Sequence, residues 1–126
     1  MAFDLFFVDV GSAEETVLPH RFVAFGATAG KVKQADLATE AILGVSDECG
    51  VVVTVATDEN RVDFNVLGYA KITYGATIIA GAHLTTDADG KAVTAVATNR
   101  VGAMALTAGV AGDIHLVTLI AGSPVL

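Results

Sequence analysis

Hydrophobic and polar residues alternate along much of this chain, most clearly between Arg61 and Val93. Val62, Phe64, Val66 and Ile72 interleave with Asp63, Asn65, Lys71 and Thr73. That is the two-residue period of a half-buried strand, expected to run from Arg61 to Thr73. Gly75 and Gly81 bracket Ala76–Ala80, and Asp87-Ala88-Asp89-Gly90 supplies turn chemistry before Lys91-Ala92-Val93 resumes an extended pattern.

The rest of the chain follows the same rhythm. Phe3–Val10 is apolar except for Asp4 and Asp9, and predicts an N-terminal strand or an arm carrying Phe3, Phe6 and Phe7. Ser12 to Glu15 has capping-box spacing, but Pro19 follows too soon for more than about one turn of helix, so a loop is expected. His20–Gly26 and Lys31–Ala35 predict strands around a turn at Ala27–Gly30. Asp36–Ala41 has the pattern of a short helix capped by Asp36. Ile42–Ser46 and the β-branched Val51–Ala56 predict further strands, and Asp58-Glu59-Asn60 a turn. Val101–Leu106, a turn at Gly109–Gly112 and a closing strand at Asp113–Ile120 complete the pattern.

Gly30-Lys31-Val32 through Ala35, then Ile42-Leu43-Gly44-Val45, has a counterpart sixty residues on. There Gly90-Lys91-Ala92 runs through Ala95, and Arg100-Val101-Gly102-Ala103 follows. A duplication and a chance likeness of two hairpins are both open, and either favours an all-β barrel or sandwich. The expected fold is therefore all-β, a small β-barrel or β-sandwich of short strands. Residues 1–20 are expected as an N-terminal arm or edge strand, and residues 21–126 as a single barrel-like domain.

Composition narrows the function. Hydrophobic residues make up 53% of the 126, with no Trp, so Val, Ile, Leu and Ala must build the core, with Phe as anchor. Thirteen glycines against two prolines fit many tight turns. Mean hydropathy is +0.63, yet each uncharged stretch falls short of the ~20 apolar residues a spanning helix needs. No Lys or Arg precedes Arg21, which is not the pattern of a secretory signal. A net charge of −7 disfavours nucleic acid as partner. The excess of apolar residues points instead to surface buried against other proteins.

Candidate chemistry is sparse. Gly26 to Val32 resembles a phosphate loop, but it is one residue short between glycines and has Val32 where a Ser or Thr must bind Mg²⁺. Asp87, Asp89 and Gly90 resemble a calcium loop with the glycine two positions early and Thr98 in place of the bidentate Glu. His20, His83 and His115 lack short metal-ligand spacing, and His115 is expected at the surface or an interface. Cys49, the single cysteine, is expected to pack as a small hydrophobe beside Gly50. No nucleophile elbow is present. The expectation is a non-enzyme with no cofactor and no metal.

Leu67-Gly68-Tyr69-Ala70-Lys71-Ile72, Ile79-Ala80-Gly81-Ala82 and Thr85 through Ala92 resemble the small head decoration proteins of tailed bacteriophages, also called capsid cement proteins. Val101-Gly102-Ala103-Met104-Ala105 and Ala108-Gly109-Val110-Ala111-Gly112-Asp113-Ile114 extend the resemblance, which covers roughly residues 21–119. It implies a structural virion protein, made in the host bacterial cytoplasm, that binds the outer surface of the assembled, expanded phage head. There it would stabilise the shell against internal DNA pressure. The implied partners are the major capsid protein and the chain itself, as homotrimer or homodimer. Phe3, Phe6 and Phe7 are the candidate contacts to capsid or sister protomer. A tail-tube or neck component is the alternative, and a small-ligand or glycan-binding β-domain a further one, for which only Tyr69 and Tyr74 offer platforms.

Overall fold

The computed structural model describes residues 8–53 and 60–126. Among these are ten strands and no helix. The first five are β1 (Val8–Ala13), β2 (Phe22–Phe25), β3 (Lys31–Gln34), β4 (Ile42–Ser46) and β5 (Arg61–Asn65). They close into a barrel in the order β1-β3-β2-β4-β5. The second five are β6 (Tyr69–Thr73), β7 (His83–Thr86), β8 (Ala92–Thr94), β9 (Ala103–Ala105) and β10 (Ile114–Leu119). They form a sheet in the order β6-β10-β9-β7-β8, and a parallel bridge from Tyr74 to Ala92 draws its two ends together.

These two orders are the same order. Reading β6 for β1, β7 for β2 and so on, every pairing of the first barrel has its counterpart in the second sheet. The parallel contact Ala13↔Val32 matches Tyr74↔Ala92, and the bridge Val17↔Val51 matches Ile78↔Gly109. Loop hydrogen bonds repeat as well. Gly26 N donates to Lys31 O as Asp87 N does to Lys91 O, and Ala35 N donates to Phe22 O as Ala95 N does to His83 O. The weak sequence repeat is thus a repeat of a whole five-strand unit. Its register places Gly44, opposite Val23, in the position of Ala103, opposite Leu84. The glycine of the second half, Gly102, stands one residue earlier.

Several expected elements fall differently. The strand expected from Arg61 to Thr73 is two strands in two sheets, separated at Gly68, whose φ of 84° is open to glycine at little cost. The helix expected at Asp36–Ala41 is a turn. Glu40 turns its carboxylate back to accept from Asp36 N and Leu37 N, and β4 begins at Ile42, so a single turn is all that fits. Of residues 1–20, expected as an arm or edge strand, residues 8–20 are described and include β1. β1 lies inside the first barrel, antiparallel to β5 over five residue pairs and parallel to β3. Without it the barrel would have two open edges. Residues 21–126, expected as one barrel-like domain, hold most of the two five-strand units, which share a core. At Val51–Ala56 the structure has a one-residue bridge at Val51 and no regular strand through Val53; residues 54–59 lie outside the described residues.

β2 explains how the units are held together. Its residues alternate as a strand must, yet both faces are buried. Val23 points into the first barrel with Ala13, Val17, Val32, Val62 and Phe64. Phe22 and Ala24 point the other way and, with Ile42 and Val45 from β4, join the core of the second unit around Ile72, Tyr74, Leu84 and Val117. Backbone bonds seal the seam: Phe22 N to Gly90 O at 2.8 Å, Thr73 N to His20 O at 3.0 Å and Arg100 N to Ala38 O at 2.7 Å.

Gly102 is one of the tightest points in the core of this seam. A methyl group there would lie 2.8 Å from the Phe22 ring and 3.0 Å from Ile42. Gly102→Ala is therefore expected to destabilise the fold by about 1–3 kcal/mol through overpacking, and Phe22→Ala by about 3–5 kcal/mol through the cavity it leaves. Denaturant titration should show one transition for both units in each variant. Two separated transitions would mean the shared core does not couple them.

Candidate interaction surface

The described residues contain no group of three or more His, Cys, Asp or Glu side chains placed to hold a metal ion. The three histidines occupy separate settings. His83 is exposed on β7 opposite Met104. His20 adopts a φ of 56° at the position where the second unit has Gly81, with φ 87°. It lines an open depression of about 280 Å³ together with Ser46, Asp47, Glu48, Asn65 and Lys71. His115 is half-buried, with its ring 5.0 Å from that of Tyr74 and its Nε2 3.3 Å from Asp113 Oδ2. Cys49, expected to pack as a small hydrophobe, is exposed, because Asp47 Oδ1 accepts from the Cys49 and Gly50 N–H groups and holds the loop outward.

The two look-alike motifs are turns with occupied donors. In the Gly26–Val32 loop, the N–H groups of Thr28 and Ala27 both donate to the Glu14 carboxylate, at 2.9 and 3.0 Å. These bonds hold the Glu14 pKa below its ordinary value. A carboxylate thus stands where a phosphate would be cradled. In the Asp87–Lys91 turn, Asp87 Oδ1 accepts from Asp89 N and Lys91 N, and Asp89 O accepts from Arg21 and Gln34 of the first unit. The Asp87 carboxylate closes the hairpin, and the Asp89 backbone carbonyl docks it.

What the structure offers a partner is apolar surface. On the outer face of β6 and β10, Tyr69 (65% exposed), Ile114 and Leu116 stand around Lys71, which pairs in register with Leu116. At the far end, Leu37 and Val96 project from corresponding turns, each closed by a side chain, Glu40 in one and Asn99 in the other. The Arg100 N to Ala38 O bond ties these turns together, and Val125 lies alongside through its bridge to Arg100. Lys33 binds both Asp36 and Glu40, at 2.9 and 3.2 Å, leaving this end without an unpaired charge from those three groups. Phe3, Phe6 and Phe7 lie outside the described residues. Sequence periodicity could not single out the surface residues, because each is one apolar position in an alternating strand or turn, and only pairing shows which face is covered. Tyr74, offered as a platform, is instead buried; its hydroxyl donates to Thr107 O at 2.8 Å, and burial raises its pKa.

Asp113 gives a pH signature. The Val110 N–H donates to it at 3.0 Å and His115 adds a second contact, together lowering its pKa from the ordinary 3.8. A depressed carboxylate stabilises the fold fully above its unfolded pKa, and that contribution is lost as pH falls through the folded value. The stability advantage of the native chain over Asp113→Asn should therefore be constant above about pH 5 and shrink below about pH 4. Thermal melts of both proteins across that range test it. Tyr74→Phe, which leaves Thr107 O without its donor, should cost about 1 kcal/mol at neutral pH, read by the same denaturant titration.

No protein-family model matches the chain, and no curated protein matches it. Among solved structures, it is similar to the head fiber gp8.5 N base in bacteriophage phi29, with a TM-score of 0.69 at 20% identity. The likeness covers 90% of this chain and 92% of that one, so it spans both five-strand units, and what it establishes is the fold.

Proposed function

We propose that the chain is a structural protein of a tailed-phage virion, seated on the head. There it binds the outer surface of the assembled, expanded capsid as a homo-oligomer and stabilises the shell against the pressure of packaged DNA. The observation that carries this reading is the likeness of the whole chain to the base of a phage head fiber. The decoration-protein pattern of glycines and turns over residues 21–119 supports it from the sequence side. So does the surface, where apolar side chains stand on rigid strands and side-chain-closed turns.

Such a protein works by adhesion and stiffness, and the reading assigns it no catalytic role, cofactor or metal. Weak contacts repeated over a symmetric lattice add through multivalency, so each copy needs only a modest apolar interface with the major capsid protein. A closed barrel suits this task, having no free sheet edge along which copies would aggregate before reaching the shell. A second reading comes from the neighbour's own description as a base: the two-unit fold serves as the foot of a longer head appendage.

One experiment separates these readings. The purified chain is mixed with undecorated expanded heads, and occupancy and thermal tolerance of the heads are measured. Saturable binding with raised tolerance is expected for a stabilising protein, and saturable binding with unchanged tolerance for a foot. Absence of saturable binding would reject both, and rings or tubes of the protein alone in negative stain would favour a tail or neck component.

A further inference from the structure

In each unit a short two-stranded ribbon, held by a single bridge, joins the segment before the second strand to the segment after the fourth: Val17↔Val51 in the first and Ile78↔Gly109 in the second. The central apolar residues Val17 and Ile78 face inward, each about 1% exposed. The residues flanking the bridge in the first ribbon are Thr16, Leu18, Gly50 and Val52, of which Leu18 and Val52 are exposed, while Gly50 closes on the Val17–Pro19 backbone. Those of the second are Thr77, Ile79, Ala108 and Val110. The two sets correspond residue by residue: Thr with Thr, Leu with Ile, Gly with Ala, Val with Val.

This likeness is not inherited passively from the fold. Around the ribbons the interior has changed, with Ala13, Val32 and Val51 replaced by Tyr74, Ala92 and Gly109. Solvent-facing positions are under still less packing constraint, so divergence between the two copies is least costly there. Yet none of the eight carries a charge, and the largest are open to solvent: Leu18 41%, Val52 73%, Ile79 70% and Val110 55%. Within the first ribbon, Thr16 Oγ1 accepts from Val53 N at 3.0 Å, so its hydroxyl is spent on holding the ribbon.

A surface kept twice in one molecule fits a partner that is itself present twice. We infer that the ribbons are two equivalent docking sites, each engaging the same uncharged, apolar groove on one of two neighbouring copies of a single capsid subunit. This rests on the head-binding reading above and names how the chain would span a junction between subunits: one unit on each side, with the shared core as the rigid link. Engagement of both ribbons makes the second contact intramolecular, so losing either should forfeit about 10²-fold or more in apparent affinity.

The test uses the whole chain and undecorated expanded heads. Leu18→Gln with Val52→Gln removes the first ribbon, Ile79→Gln with Val110→Gln the second, and a fourfold variant both. All are surface changes that add no charge, and thermal melting confirms folding. Where a pair lowers the melting temperature, Thr replaces Gln at the same positions. The expected result is a loss of about 100-fold in affinity for either pair, similar for the two, with the fourfold variant no longer binding saturably. An effect confined to one pair would overturn the inference in favour of a single site. A fourfold variant that binds like the native chain would place the contact elsewhere while leaving the head-binding reading intact. Failure of the native chain itself to bind would remove both.

Discussion

The packing of the Phe22 ring against Gly102 and Ile42 is the contact on which this architecture depends. A five-strand barrel of this size encloses little more than a handful of Val and Phe side chains, and small domains bury too small a fraction of their surface to be secure alone. By burying β2 on both faces, the chain uses one strand to complete two cores. Val23 serves the first barrel, Phe22 and Ala24 the second unit, and the cost is a close approach that only glycine at 102 allows. The backbone bonds across the seam then have the fixed geometry they need, because the side chains beneath them have nowhere to move.

The same constraint of volume explains how two copies of one unit have diverged. In the first unit Glu14 caps the hairpin amides and Gly26 gives it room. In the second the glycine is at 75, the position of Glu14, and the capping carboxylate is Asp87, at the position of Gly26. Only one side chain fits, and either strand can supply it. The interior behaves likewise: Tyr74 occupies the place of Ala13, and the space comes from Ala92 and Gly109, which stand where the first unit has Val32 and Val51. A methyl at Gly109 would press on both Tyr74 and His115.

Much of this was legible in the sequence wherever a local rule decides the outcome. The Asp87–Gly90 turn, β4 and the closing strand at Ile114–Leu119 follow from turn chemistry and β-branched alternation. Where outcomes depend on partners distant in sequence, the reading failed. The alternation of Arg61–Thr73 continues across Gly68, so nothing local shows that the chain changes sheets there. Asp36–Ala41 has helical capping residues, and Glu40 reaches back to the Asp36 and Leu37 amides as a helix-capping carboxylate does, but the chain enters β4 at Ile42 and leaves room for only one turn. The exposed ribbons were invisible for a further reason. Leu18, Val52, Ile79 and Val110 look like core residues until the pairing of Val17 with Val51 and of Ile78 with Gly109 fixes which side is out.

On the proposed reading, rigidity is what would link this fold to adhesion. A flexible linker between two binding units lets one remain bound while the other wanders, so it resists no change in the distance between their targets. A shared core does resist it, since separating the units would expose Phe22, Ala24, Ile42 and Val45 together and break the seam's backbone bonds. Shell expansion under internal pressure is such a change in distance. If each unit contacts a different subunit, as proposed, the shared core converts that strain into the work of opening itself. The stabilisation the protein gives a capsid would then be bounded by the stability of the Phe22–Gly102 seam, however many apolar contacts the outer surfaces make.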